Sequence, residues 1–378
     1  MDYLKRTWAE ININSLIDNI NTAKRISDNK VFAVIKANGY GCGAVPIAHI
    51  AQSLQVGWFA VSNLQEALEL RNNGINGHIL ILGYTPPECA PLLTKYNISQ
   101  CVFSYDYSYQ LMQYSKGNIK IHIKLDTGMS RIGFNCRTED FHELNDVINV
   151  LSFNCFEFEG IFTHFSTADC DIDFNLKQYE LFKKGVSLIK SKGYSPIVTH
   201  CCNSTATYRQ PQMHNDLCRV GISLYCKNPD FDNNYYKDII TVKSVVSMVK
   251  KISSGDAVSY DRTFVAKKDM MVATISAGYG DGYRRSLSNK AYVLVNNKKA
   301  KVLGNICMDQ FIVDVTDCGT VNIGDEVILF GSQIPIYETA SLADTIRYEI
   351  TCGITPRVPR VYIYNDKEYS AKEICELF

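Results

Sequence analysis

Eight short apolar runs recur along the first part of the chain, at 31–36, 58–63, 78–84, 100–104, 119–126, 156–164, 197–203 and 217–225. Rich in β-branched and aromatic residues, each reads as a buried strand. Helix-like segments lie between them, such as 44–54, 63–72, 138–151 and 176–192. In the last of these, Leu176, Tyr179, Leu181, Phe182, Val186 and Leu188 form a rough helical stripe. Eight strand–helix repeats within about 200 residues are the number that closes a (β/α)8 barrel of the TIM kind. A doubly wound open sheet is the alternative. No G-x-G-x-x-G follows a strand, so a dinucleotide site has no support.

A polar, Asn- and Asp-rich stretch at 227–237 reads as a linker. Beyond it the pattern turns strand-like, at 242–251, 270–276, 291–295, 311–315 and 326–330. Asn296-Asn297 and Gly324-Asp325 act as turn signals, and a short helix is expected near 339–348. The expected division is a barrel over 1–230 and a mainly β domain over 231–378. With 39 basic and 39 acidic residues the formal net charge is zero, so nothing points to nucleic acid. No apolar run is long enough to span a membrane, and Met1-Asp2-Tyr3-Leu4-Lys5-Arg6 lacks the apolar core of a signal peptide. The 14 cysteines form no C-x-x-C pair, which suggests reduced thiols. The expectation is therefore a cytoplasmic protein. His200-Cys201-Cys202 invites a metal reading, but neighbours on a strand face opposite ways, so no metal is expected.

In a barrel, residues at the C-terminal ends of the strands converge on one mouth. These are Lys36, Lys124 with Arg131, His164, Asn203-Ser204, and Arg219 with Gly221-Ile222. A lysine at a strand end, followed by Ala37-Asn38-Gly39-Tyr40-Gly41, is either solvated or a desolvated amine able to form a Schiff base. Backbone amides at Gly221-Ile222 and the Ser204 hydroxyl suit a phosphate, although Ser204 also suits a helix N-cap. A Schiff-base lysine and a phosphate site in one mouth suggest pyridoxal 5'-phosphate (PLP). Arg219, which has no proton to spare, would leave the pyridine nitrogen neutral and weaken the electron sink. Asp126-Thr127-Gly128 is also an aspartic-protease motif, but that chemistry needs a second such carboxylate and none is present. Asp126 more simply fixes the loop carrying Arg131.

Taken in order, Val34-Ile35-Lys36-Ala37-Asn38-Gly39-Tyr40-Gly41, Thr163-His164-Phe165, Asn203-Ser204 and Arg219-Val220-Gly221 make the chain resemble the alanine racemases among fold-type III PLP enzymes. So do Val258-Ser259-Tyr260, Gly278-Tyr279-Gly280-Asp281-Gly282, Ile306-Cys307-Met308-Asp309-Gln310 and Arg357-Val358-Pro359-Arg360. The resemblance implies that Lys36 holds PLP and acts as one base, and that Tyr260 is the second base, entering from the partner subunit of a homodimer. It assigns Tyr40, Asn203, Ser204, Gly221, Ile222 and Tyr348 to binding the coenzyme, chiefly its phosphate. It sets His164 beside the ring and Arg219 against the pyridine nitrogen. Arg131 and the Met308 backbone would hold the substrate carboxylate, with Lys124, Tyr279 and Asp309 in support. Several relatives carry a carbamylated lysine at the position of Lys124. Tyr348 in place of the Asn of related serine racemases favours alanine. Departures are Cys42, Cys201-Cys202 and Cys226, where His, small residues and Gly are more usual. The implied activity is L-alanine/D-alanine interconversion, supplying D-alanine for peptidoglycan. A serine or broad-specificity racemase, a decarboxylase and a PLP-carrier protein are the alternatives.

Overall fold

A computed structural model of the protein describes residues 5–229, 231 and 235–378. The first four residues, and 230 and 232–234 of the expected linker, lie outside the described residues. The chain divides into two compact units. One contains Ile20–Ala37 and Ile47–Leu224. The other contains Asn38–Pro46, Tyr225–Phe378 and the residues through Asn19. The later change of unit, at Leu224, lies near the boundary read from sequence; the two early segments depart from it.

The first strand, β1 (Thr7–Asn12), belongs to the second unit. The first unit is built on parallel strands β2 (Val31–Val34), β3 (Trp58–Val61), β4 (His78–Ile81), β5 (Ser99–Val102) and β6 (Ile119–Asp126). The two-residue β7 (Phe134–Asn135) pairs beside β6. The ring continues with β8 (Phe156–Phe162), β9 (Val198–His200) and β10 (Cys218–Val220). The order is β10-β2-β3-β4-β5-β6-β8-β9, and a parallel bridge from His200 to Leu217 closes the ring. This is the expected (β/α)8 barrel rather than an open sheet. β2 and β5 are buried along their whole length, as strands covered on both faces must be. Helix starts are set by side-chain caps. Asn63 accepts from Glu66 N, Ser104 from Tyr107 N and Asp171 from Phe174 N. The segment expected to be helical from 138 begins its helix only at Leu144 (Leu144–Leu151).

A polar chain crosses the barrel interior. Glu159 Oε2 bonds His122 Nε2 at 2.9 Å and also accepts from the Ser99 hydroxyl. Its Oε1 bonds His78 Nδ1 at 2.8 Å. His122 Nδ1 bonds His200 Nε2 at 2.9 Å, and His200 Nδ1 meets the Arg219 guanidinium at 2.8 Å. Gly160 makes room for this chain, because a Cβ there would lie 2.2 Å from His122 Nδ1. Burial alone would raise the Glu159 carboxyl, but its bonds to His122 and His78 outweigh that and hold it well below the usual range. Burial pushes His122 and His200 down, so both stay neutral.

The second unit adds β11 (Ile240–Ile252), β12 (Ala257–Val258), β13 (Phe264–Val265), β14 (Met270–Ile275), β15 (Tyr292–Val295) and β16 (Lys298–Leu303). It continues with β17 (Phe311–Asp314), β18 (Glu326–Phe330), β19 (Arg360–Tyr364) and β20 (Lys367–Tyr369). Its main sheet runs β14-β17-β16-β15-β18-β11-β1-β19-β20. Long β11 pairs β18 through Val242–Val245 and then β14 from Val246 onward, so six antiparallel strands close on themselves. The β15–β16 hairpin turns on Asn296 (φ 51°) and Asn297 (φ 58°), the positive angles that a two-residue turn requires. β1, β16, β19 and β20 were not read from sequence. Lys298-Lys299-Ala300-Lys301 looks too charged for a strand, and β1 is completed only by β11 and β19, hundreds of residues away. The single helix expected near 339–348 is two, Ile336–Leu342 and Arg347–Cys352, separated where Asp344 takes φ 54°.

Glu159→Ala strands the donors of the buried His122 imidazole and the Ser99 hydroxyl in the barrel interior. The expected cost is about 3 kcal/mol, measured by urea unfolding. As pH falls below about 6.5 the unfolded chain takes up protons on His122 and His200, while the folded chain does not. Their contribution to stability is therefore complete above that pH. It declines below it by up to ~1.4 kcal/mol per pH unit for each imidazole. Urea midpoints at about pH 7.5 and about pH 5.5, on either side of that value, check the direction.

Candidate active site

Lys36 follows β2 at its C-terminal end, half-buried, directly after the fully buried Ile35. The next five residues all have positive φ: Ala37 52°, Asn38 53°, Gly39 58°, Tyr40 53° and Gly41 86°. They form a left-handed turn, which costs a non-glycine residue about 1–2 kcal/mol. Bonds around it offset the cost. Ala37 N donates to Glu66 Oε1 at 2.7 Å, and Asn38 Oδ1 accepts from Ala44 N at 3.0 Å. Gly41 is obligatory, since a Cβ there would sit 2.1 Å from the Thr351 carbonyl oxygen. Strain of this kind gathers where a side chain must be aimed.

The other barrel candidates converge around Arg219. Its guanidinium donates to the carbonyls of Thr163 (2.8 Å), His200 (3.0 Å) and Cys201 (3.0 Å), and to Nδ1 of His164 at 3.1 Å. His164 accepts through Nδ1, so in its neutral form Nε2 carries the hydrogen. Burial, then the charges of Arg219, Lys124, Arg131 and Lys36, push His164 well below its ordinary value. Burial lowers Arg219 only to about 10, so it remains a cation at neutral pH. Lys124, near the end of β6, is buried and donates to Leu125 O at 3.1 Å. Burial and the Arg219 charge lower its amine to about 7. The Phe162 ring lies 5.2 Å from Lys124 Nζ and 5.3 Å from Arg219 Cζ.

Asp126 does organise the loop that carries Arg131. Its Oδ1 accepts from the backbone N of Gly128, Met129 and Ser130, each at 3.0 Å, and Oδ2 pairs with Arg137. Burial would raise this carboxyl, but the Ser130 and Gly128 amides outweigh it and hold it down. Arg131 itself is exposed.

The N-cap is Asn203, not Ser204. Asn203 caps the short helix Ser204–Arg209 through Ala206 N at 2.9 Å. Ser204 Oγ is thereby released to accept from Gly221 N at 2.9 Å and from Ser223 N at 3.5 Å. Buried Ser223 Oγ has no hydrogen-bond partner. An orphaned hydroxyl beside two backbone amides and a serine is a donor set that suits a phosphate. Ser223 was missed from sequence, since an ordinary serine two residues beyond a glycine carries no signal.

The second unit is described by itself. Buried Tyr40 stacks on Tyr225 at 4.6 Å, with the Tyr348 ring 6.0 Å away. Burial, then Tyr348, raises the Tyr40 phenol far above its usual range, so it is a hydrogen-bond donor. Tyr260 is 69% exposed. Its neighbours Ser259 (φ 64°, ψ −170°), Asp261 (φ 62°) and Arg262 (φ 52°) are all strained. Asn305 holds the loop, donating to Tyr260 O at 3.1 Å and Asp261 Oδ2 at 2.9 Å, while Ser259 Oγ donates to Asn305 O at 2.5 Å. Met308 and Tyr279 lie on two loops joined by Tyr279 N to Cys307 O (3.1 Å) and Gly280 N to Met308 O (2.8 Å). Asp309 pairs with Arg357 at 2.6 Å. Asp281, within the motif Gly278-Tyr279-Gly280-Asp281-Gly282, is the hub of this region: its buried carboxylate binds Arg6, Arg357 and Gly278 N.

A parallel (β/α)8 barrel bearing a strand-end lysine and a closed antiparallel β domain in one chain define a two-unit barrel class. The chain matches the alanine racemase N-terminal domain over residues 11–229 and the alanine racemase C-terminal domain over 239–362. It belongs to the alanine racemase family. It is 39% identical over 373 residues to an alanine racemase of Carboxydothermus hydrogenoformans, covering 95% of this chain and 100% of that one. It is 38% identical over 367 residues to one of Desulforamulus reducens, covering 94% and 98%. Among solved structures it superposes on an alanine racemase of Clostridium difficile 630 with a TM-score of 0.92 at 33% identity, over 98% of each chain. The alanine racemase of Bacillus anthracis with bound L-Ala-P gives 0.91 at 32%, again over 98% of each chain.

Gly304→Ala would put a Cβ 2.4 Å from the Val258 carbonyl oxygen, forcing the 259–262 loop to move. Turnover is expected to fall about 100-fold, as for a reacting group displaced by an ångström, with far-ultraviolet circular dichroism unchanged.

Proposed function

We propose that the protein interconverts L-alanine and D-alanine with PLP, using Lys36 and Tyr260 as the two proton carriers. The observation that carries the reading is in the barrel. Lys36 follows β2, and the Gly221 and Ser223 amides with the Ser204 and Ser223 hydroxyls gather beyond β10, the strand hydrogen-bonded to β2. PLP, when bound, delocalises the electron pair left on Cα as its proton departs.

The chain's own residues do the rest. Lys36 Nζ takes or returns the proton on one face of the substrate carbon, and Tyr260 Oη serves the other. Inverting a stereocentre requires this two-sided arrangement. Arg219 stays charged and has no proton to give up, so a pyridine nitrogen held against it would stay neutral. His164 is neutral and orients through its bond to Arg219. Arg131 clamps the substrate carboxylate with its planar fork, aided by the Met308 backbone. Lys124, an amine lowered to about 7, is nucleophilic toward carbon dioxide. The carbamate formed, with one proton released, would pair with Arg131. Tyr40 and Tyr348 serve as phenolic donors to the phosphate, and Asn203 holds the helix start that carries Ser204. Tyr279 and Asp309 support the Met308 loop. The exposure of Tyr260 supports its service to a second copy of the chain in a homodimer. In this reading the enzyme works in the cytoplasm and supplies D-alanine for peptidoglycan.

The test is circular-dichroism racemisation of L-alanine and L-serine, side by side, with added PLP. L-alanine is expected to reach a racemic mixture and L-serine to turn over far more slowly. Comparable rates would move the substrate class to broad-specificity racemisation, and no turnover of either would overturn the proposal. Lys36→Ala is expected to abolish activity, and Tyr260→Phe to lower kcat for L-alanine on the order of 1,000-fold. Mixing these two inactive variants should restore partial activity, because one site of the heterodimer holds both native residues. No recovery despite demonstrated subunit exchange would rule out sharing.

A further inference from the structure

Three segments of the barrel unit deliver soft ligands to one point. Cys202 follows β9, His214 follows the turn Pro211–Met213, and Cys218 lies in β10. The two sulfurs and a ring nitrogen all lie within 4.8 Å of one another. Both cysteines are fully buried and His214 is half-buried, which leaves a route in from solvent. The argument from strand alternation does not reach this point, because β9 ends at His200. Beyond it, Cys201 and Cys202 both turn toward Met213 O, at 3.3 Å each, with their sulfurs 4.0 Å apart.

We propose that Cys202, His214 and Cys218 form a zinc site, with the fourth position open to water or to the Cys201 thiolate. The ligand types are right, since thiolate and imidazole together select zinc over hard cations. The spacing is close: tetrahedral Zn–S bonds of about 2.3 Å set sulfurs ~3.8 Å apart, so the ligands need only contract slightly. The histidine is already oriented. Its Nε2 lies 2.8 Å from Thr207 O, a carbonyl that can only accept, so neutral His214 keeps its lone pair on Nδ1. A carbonyl behind the imidazole is the usual outer partner of a metal-binding histidine. Two thiolates and Zn²⁺ make a neutral buried unit, whereas two thiolates alone would carry an unpaired buried charge. The ion would join the segment leading to Asn203 and Ser204 to the strand that carries Arg219. Metal binding thereby becomes barrel stability.

The whole protein, reduced and freed of metal by a chelator, is titrated with Co²⁺. The expected result is one equivalent bound, with thiolate-to-cobalt charge-transfer absorption that one equivalent of Zn²⁺ displaces. Zn²⁺ should also raise the thermal midpoint. Cys218→Ser and His214→Gln should each weaken Zn²⁺ binding at least 10-fold, while Cys170→Ser, at an exposed cysteine, should leave it unchanged. Should a variant fail to fold, the wild-type protein still decides. Zn²⁺ must slow maleimide labelling of Cys202 and Cys218 as urea opens the barrel, as mapped by mass spectrometry. No charge-transfer band, or shielding that maps to other cysteines, would overturn the assignment.

Discussion

The barrel depends on holding the charge of Arg219 in its interior. A buried guanidinium is tolerable only when its donors are satisfied. Arg219 reaches that state through three strand-end carbonyls and two imidazole nitrogens. Those partners impose conditions in turn. His200 must offer Nδ1 to Arg219, which sets its tautomer and makes its Nε2–H a donor to His122. His122 must then donate to Glu159, whose carboxylate His78 and Ser99 hold from the far side. Placing one cation at the mouth has therefore specified polar side chains on most of the barrel strands, and a glycine, Gly160, to admit them.

A second constraint is backbone strain at the two residues proposed to move protons. Lys36 opens a left-handed turn, and Tyr260 is flanked by residues with positive φ. In both places neighbouring side chains and close-packed glycines over-determine the conformation: Glu66 and Gly41 in the first, Asn305 and Gly304 in the second. A reacting group held this way loses little freedom when substrate arrives, which is how positioning lowers a barrier.

Much of the fold was legible in the chain. Barrel strands such as β2 and β3 are continuous apolar runs because both of their faces are covered, and such runs stand out against polar loops. Lys36 and Arg219 were legible for the same reason, as charged residues at or inside those runs. What escaped were elements completed from far away. β1 joins strands contributed by the distant end of the chain, and charged β16 is a strand because β15 and β17 pair with it. Asp281 and Ser223 escaped because their roles lie in partners, and a glycine-flanked aspartate or a plain serine does not name its partners.

Sequence alone determined the barrel, the mainly β second unit and the family, since periodicity and ordered motifs are local properties of the chain. Only tertiary structure decided that Asn203 rather than Ser204 caps the helix, leaving Ser204 Oγ to accept from Gly221 N. It also decided that the beginning of the chain belongs to the β unit, and that Cys202, His214 and Cys218 meet. These outcomes rest on distances between segments remote in sequence. Such distances are set when the strands close into a ring, and no local pattern records them.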